Sequence, residues 1–396
     1  MLQQYRKKYN TGFTEEKYVS FFHSLYERFP HKIEFKVCET PVFVPADLKN
    51  KLLMAGEDII DVICRKDFKQ LTERAVPSHL NVPGEDNNTV LLALDFGICI
   101  NNEGEILPQL IEMQGFASLY GYQHELGIKY KHYFGIDEGV DHLFNNLNNE
   151  GYIEMLRKTI LGNHEPEHVI LLEIEPGKQK TWVDFWITKE MSGIEPVCIS
   201  EIKKQGKELF YYLHGKKTKI KRIYNRLIFD ELELRKDLQR EWNLTEETDA
   251  EWVSHPNWFF RISKYTLPFI KSKYVPETYF LNEVKQIPAD LENWVLKPLF
   301  SFAGSGVIFD VKKEDIVNIR DKENFILQKK VNYHACIETL DMPAKCEIRL
   351  MYIWEKEKSR PTLVINLVRL SKGAMIGVNF NKGKSWVGGT VGYFEK

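Results

Sequence analysis

Residues 90–100 read VLLALDFGICI, an apolar run with a single charged residue, Asp95, near its middle. The run has strand length and composition and is far shorter than the roughly 18 apolar residues of a membrane span. A turn-forming NNEGE follows, and then a second apolar segment, ILPQLIEMQ (106–114). A hairpin turning at Glu103–Gly104 sets Asp95 directly across from Glu112. Gln114 shares that face, and Ile111 and Met113 point the other way. Opposed carboxylates repel unless a cation lies between them, and an Asp, a Glu and an amide oxygen form an all-oxygen set suited to magnesium. A hairpin with solvent-facing acids accounts for the same residues. Against it, solvated acids are not expected inside LLALDFGI and LIEM.

At 396 residues the chain exceeds what one core usually serves. Residues 14–29 put Tyr18, Phe21, Phe22, Leu25 and Phe29 on one helical face behind a Thr14 N-cap, and Lys49 to Arg74 reads as further helix. Gly121 to Gly162 is mainly helical, with a break at NNLNNEG. HVILLEIEP, KTWVDFWITKEM and EPVCIS form a strand–helix–strand unit, and 206–227 a hairpin turning at His214–Gly215. Polar residues from Leu238 to Ser254 suggest a boundary. A helix is expected near 262–273, and strands at 294–309, 323–331, 345–354 and 362–370. The class is α+β (mixed α/β). The expected parts are a mainly helical region (1–89), a metal-binding half-core (90–165), a strand–helix–strand subdomain (166–237), a lid (255–344) and C-terminal strands completing the core (345–396).

Composition narrows the partners. Lysine plus arginine (54) nearly balances aspartate plus glutamate (56), so nothing argues for nucleic acid. The N-terminus lacks the apolar core of a signal peptide, and six cysteines without CxxC spacing suit a reducing, cytoplasmic compartment. No apolar run argues for a membrane. Oligomeric state is not legible. One motif is set aside: His164–His168 reads HEPEH, but Pro166 would break the helix that an HExxH zinc site requires.

WVLKPLFSFAGSGVIF (294–309) carries the other chemical signal. Gly304 and Gly306 allow close backbone approach to an anion, and Ser301 and Ser305 offer hydroxyl donors. Lys297, inside an apolar strand, either snorkels from an edge or meets a buried anion. By itself the stretch reads equally as a phosphate loop or as a turn.

The order SKY … WVLKPLFSFAGSGV … FILQKKV resembles the ATP-grasp enzymes. The resemblance makes Lys264 the first phosphate lysine, Lys297 the second, 301–306 the glycine loop, and Gln328, Lys329 and Val331 the adenine-binding segment. The metal motif of such enzymes usually lies downstream of the loop, yet after Arg369 the only acidic residue is Glu395. The Asp95 and Glu112 hairpin supplies it upstream. That order resembles the circularly permuted ATP-grasp group, glutathionylspermidine synthase-like enzymes included, over roughly residues 90 to 390. The resemblance implies ATP held between two α+β subdomains, with Mg2+ on Asp95, Glu112 and Gln114, and Arg349 and Arg369 at the transferring phosphate. Asn379 falls near a polar position of that group. Gln114 stands where an asparagine is expected and Ala93 where an arginine is common, which puts the group's particular substrate in doubt.

The expected activity is an ATP- and Mg-dependent ligase joining a small-molecule or peptide carboxylate to an amine or similar nucleophile through an acyl phosphate. A non-catalytic ATP-binding protein on the same fold, or a small-molecule kinase, are the alternatives.

Overall fold

A computed structural model describes residues 1–101, 103–300, 306–373 and 381–396. The strand that carries Asp95 lies inside the largest sheet. In chain order the elements begin with α1 (Gln3–Gly12), α2 (Glu15–Ser24), β1 (Val42–Val44), α3 (Ala46–Ile63), α4 (Phe68–Leu71), β2 (Leu91–Ile100) and β3 (Ile106–Gln114). Then come α5 (Tyr120–Phe134), β4 (Val140–Asp141), α6 (Asn149–Leu161), β5 (Val169–Glu173), α7 (Trp182–Ser192) and β6 (Glu195–Cys198). After them stand β7 (Lys203–Gln205), β8 (Glu208–Leu213), β9 (Lys216–Ile220), β10 (Arg222–Asn225), α8 (Phe229–Leu234), β11 (Glu251–Val253) and α9 (Asn257–Arg261). The last are β12 (Thr278–Phe280), β13 (Trp294–Pro298), α10 (Lys313–Asn318), β14 (Phe325–Lys329), β15 (Lys345–Ile353), β16 (Thr362–Ser371), β17 (Gly388–Thr390) and β18 (Gly392–Glu395).

Three sheets position the candidate site. The first runs β17-β16-β15-β2-β3, all antiparallel, so the early hairpin and the C-terminal strands meet edge to edge. Its period of two sends Leu92, Leu94, Phe96 and Ile98 into the main core with Leu52 and Ile59 of α3. On the other face Leu91, Met351 and Leu367 join a second core with Tyr120 and Tyr152 of α5 and α6. The second sheet, β11-β10-β5-β6, is parallel, with α7 crossing over between β5 and β6. The third, β12-β14-β13, stands on its own small core of Leu281, Trp294, Leu296, Val311, Ile316 and Leu327.

Local expectations meet the structure unevenly. Thr14 caps α2, its hydroxyl accepting the Lys17 N–H at 3.2 Å, and Phe21 and Leu25 are buried. His214 and Gly215 both take positive φ between β8 and β9, as a tight hairpin turn requires. The helix expected near 262–273 is a correction. A five-residue α9 ends at Arg261, Ser263 accepts the Tyr265 N–H, and Lys264–Phe269 is a 3-10 turn containing Pro268, which has no N–H to continue a helix. Residues 238–254 bury Trp242 and Leu244, and Glu251–Val253 extends the parallel sheet. His164 precedes a 3-10 turn, Pro166–His168, that ends at His168, so no α-helix carries the two histidines. Among the described residues no helix is long and apolar enough to cross a membrane, and the six cysteines are free.

Candidate active site

Register brings the charged residues of the large sheet into one patch. Asp95 lies across from Glu112 on one side and Arg349 on the other, and Glu347 pairs with Arg369. The Asp95–Glu112 opposition holds only because of a β-bulge. Nearer the turn Gly97 pairs with Gln109 and Phe96 with Leu110, a register that would place Ile111 opposite Asp95. One extra residue, Ile111, restores the alignment, since a one-residue slip exchanges the faces of a strand. Ile111 consequently leans toward Gly97, contrary to the expected outward direction. A β-carbon on Gly97 would stand 2.7 Å from the Tyr333 ring, so glycine is what lets Tyr333 lie over the strand.

The patch is tightly ion-paired. Arg349 forks onto both Asp95 oxygens, with Nη2–Oδ2 at 2.7 Å, and its Nη1 donates to Ser118 Oγ at 2.8 Å. Arg369 Nη2 donates to Asp95 Oδ2 at 2.5 Å and reaches Glu347 Oε2 at 2.9 Å, while the Tyr333 hydroxyl donates to Glu347 Oε1. Gln114 Nε2 donates to Glu112 Oε1 at 3.1 Å, and Arg349 Nη2 stands 3.5 Å from that oxygen. Burial opposes ionisation of Asp95, but Arg349 and Arg369 outweigh it and hold the carboxyl below its usual range. Burial moves Glu347 the other way, opposed by Arg369 and reinforced by Asp95 and Glu112.

The third sheet brings its lysine to the same place. Alternation along β13 sends Leu296 into the small core and Lys297 to the opposite face, where its Nζ donates to Gln328 Oε1 at 2.6 Å. Gln328 in turn donates to Thr278 Oγ1 at 3.0 Å. Burial, with Lys264 nearby, pushes Lys297 down to about 8, against the pull of Glu112 and Glu347. Burial also lowers Lys264, and there the charges of Glu112 and Asp230 act in opposition. Both lysines therefore lie within electrostatic reach of Glu112.

The remaining candidates divide. Lys329 turns outward to Glu277 at 3.0 Å and over the Trp294 ring, so its ammonium belongs to the surface. Gln328 spends its side chain on Lys297 and Thr278. Val331 begins the segment by which Asn332, Tyr333 and His334 run along the end of β2. Gly306 has φ +71° and packs on Pro298, after which Ile308 bonds back to Leu296. Ser301, Gly304, Ser305 and Asn379 lie outside the described residues.

Magnesium fits this patch poorly in the arrangement expected from sequence. Both Asp95 oxygens are taken by guanidinium N–H groups, and among the described residues no three His, Cys, Asp or Glu side chains are grouped to hold a metal ion. Gln114 presents its amide nitrogen, not its oxygen, to Glu112.

Several functional candidates were missed in the sequence. Glu347 and Tyr333 complete the patch, and Glu347 carried the same signal as Asp95, an acid within an apolar strand (KCEIRLMYIW). A second group sits at the carboxyl ends of the parallel strands. β6 pairs on one side of β5 and β10 on the other, the switch point at which open α/β sheets form ligand crevices. Glu173 ends β5, and burial lifts its carboxyl to about 8; one oxygen accepts the Ile174 N–H. Arg226 follows β10, lies over the Phe116 and Phe185 rings, and donates to Ala117 O. Among the described residues neither forms a salt bridge. The loop 115–118 joins the two groups, since Ala117 holds Arg226 and Ser118 holds Arg349.

No family model and no curated protein matches the sequence. Among solved structures, a glutathione synthetase like-effector from Globodera pallida, solved in its apo form, aligns with a TM-score of 0.62 at 10% identity, over 99% of this chain and 97% of that one. The chain therefore has a glutathione synthetase-like, mixed α/β fold throughout its length.

Proposed function

We propose that the protein is an ATP-dependent ligase that joins a carboxylate to an amine or similar nucleophile and releases ADP and phosphate. The observation that carries this reading is Lys297, turned away from the small core of its sheet, hydrogen-bonded to Gln328 and within electrostatic reach of Glu112 and Glu347. Phosphoryl transfer needs positioning and neutralisation of charge more than covalent participation by protein groups. The two lysines supply point charges for the phosphates, and Arg369, about a third exposed (35%), offers a guanidinium edge to the transferring group. A substrate carboxylate oxygen attacks the γ-phosphorus while the bond to ADP breaks. The nucleophile then attacks the acyl carbon, phosphate departs with its oxygen, and the amine loses a proton. Arg226, at the carboxyl end of the parallel strands beside the buried Glu173, suits a substrate carboxylate. Asp95 is already engaged by two arginines, so no step is assigned to a metal at that residue.

The same engagement of Asp95 favours a second reading, a nucleotide-binding protein without turnover. Incubation with ATP, MgCl2 and mixtures of carboxylates and amines, followed by mass spectrometry, separates the two. ADP, phosphate and a condensed product are expected. AMP with pyrophosphate contradicts the acyl-phosphate route, a stable phosphorylated product indicates a kinase, and binding without products indicates the second reading.

A further inference from the structure

We infer that Asp95 is a positioning residue for Arg349 and Arg369 and not a metal ligand. The inference builds on the ligase reading above and assigns roles within the same patch. Three charge-assisted hydrogen bonds converge on Asp95, whose side chain is 2% exposed, whereas that of Glu112 is 43% exposed. A cation drawn to Asp95 would have to displace the Arg349 fork and leave a guanidinium that is only 9% exposed without its carboxylate. The alternative keeps every bond. Asp95 anchors the two arginines, Ser118 fixes the free nitrogen of one, and Glu347, held by Tyr333, fixes the other. Arg369 is thereby fixed between Asp95 and Glu347, and Glu112, though more exposed, accepts the Gln114 amide N–H and lies 3.5 Å from Arg349. Charge-assisted forks of this kind orient as well as neutralise.

The test uses the full chain and two readouts independent of turnover. Mn2+ binding in the presence of ADP is measured by electron paramagnetic resonance for the wild type and Asp95→Asn. Phenylglyoxal labelling, mapped by mass spectrometry, reports the reactivity of Arg349 and Arg369. Asp95→Asn is expected to keep Mn2+ affinity within about twofold. Labelling of both arginines should rise several-fold in Asp95→Asn and return toward wild type in Asp95→Glu. A loss of about tenfold in Mn2+ affinity for Asp95→Asn, or unchanged labelling, overturns the inference. If Asp95→Asn does not fold, the wild type decides: Arg349 stays protected when Mn2+ and ADP are added, and its becoming reactive means that the cation has taken Asp95. If no Mn2+ binds at all, the nucleotide reading fails while the labelling still decides the role of Asp95.

Discussion

On the five-stranded sheet each guanidinium of the candidate site already has a carboxylate, whereas among the described residues Lys297 on the three-stranded sheet has only the neutral amide of Gln328 within hydrogen-bonding distance. The two surfaces also titrate in opposite senses. Arg349 is held further into its charged form by Asp95 despite burial, and Lys297 is pushed by burial toward its neutral form, at about 8. A surface that neutralises itself is complete once the chain has folded. A surface short of anions becomes favourable only when one arrives, because a buried charge is stable when paired. Under the proposed function the first surface would orient and the second would capture.

The largest expected effect breaks the self-neutralised side. Arg349→Met leaves Asp95 buried beside a single remaining arginine and should cost roughly 3–5 kcal/mol in denaturant unfolding. Adding Asp95→Leu should recover most of that loss, and a single variant that costs almost nothing would show that the pair contributes little. On the capture side the sign reverses. Lys297→Met should raise stability at neutral pH yet weaken ADP binding by about 10- to 100-fold, or ~1.4–2.8 kcal/mol. Loss of both stability and binding would mean that Lys297 holds the fold together.

Glu173 probes whether a third surface shares the capture logic. Its folded value, about 8, lies above the ordinary 4.5, so the folded chain holds the proton more tightly and stability drains away as pH rises from about 4.5 through 8. Glu173→Gln should therefore raise Tm by a few degrees at pH 8 and above, and hardly at all near pH 4. Equal gains at both pH values would mean that the carboxyl is not strained. For Lys297 the shift is downward from 10.5, so the unfolded chain binds more protons between about pH 8 and 10.5 and stability rises across that window. ADP affinity should fall as pH passes about 8, since the capturing charge is lost, and Lys297→Met should flatten the fall in a calorimetric titration series. The smallest effect belongs to Lys329→Ala, an exposed partner of Glu277, which should change stability by about 0.5 kcal/mol or less and leave ADP binding alone.

Much of this was legible because strands alternate. Asp95 inside LLALDFGI and Lys297 inside WVLKP are charges where a period of two puts apolar neighbours on the other face, and both lie on the candidate site. The bulge at Ile111 was not legible, since one extra residue in a strand leaves composition unchanged while moving every later side chain. Nor was the partner of Asp95: Arg349 lies 254 residues away, and pairing over that distance is set by sheet topology. The sequence therefore showed the acid pair without the guanidinium that engages it. The turn at Lys264 was misread as helix because apolar spacing continues through Pro268. Lys329 shows the converse limit, since its place in FILQKKV was visible but its direction, toward Glu277, depends on strand pairing.

The most direct test of the capture surface is a calorimetric titration of ADP into the wild type and Lys297→Met at neutral pH. Saturable one-site binding to the wild type, weakened about 10-fold or more in the variant, is the predicted result. Equal affinity for both proteins, or no binding to either, would contradict the proposal that Lys297 captures a nucleotide.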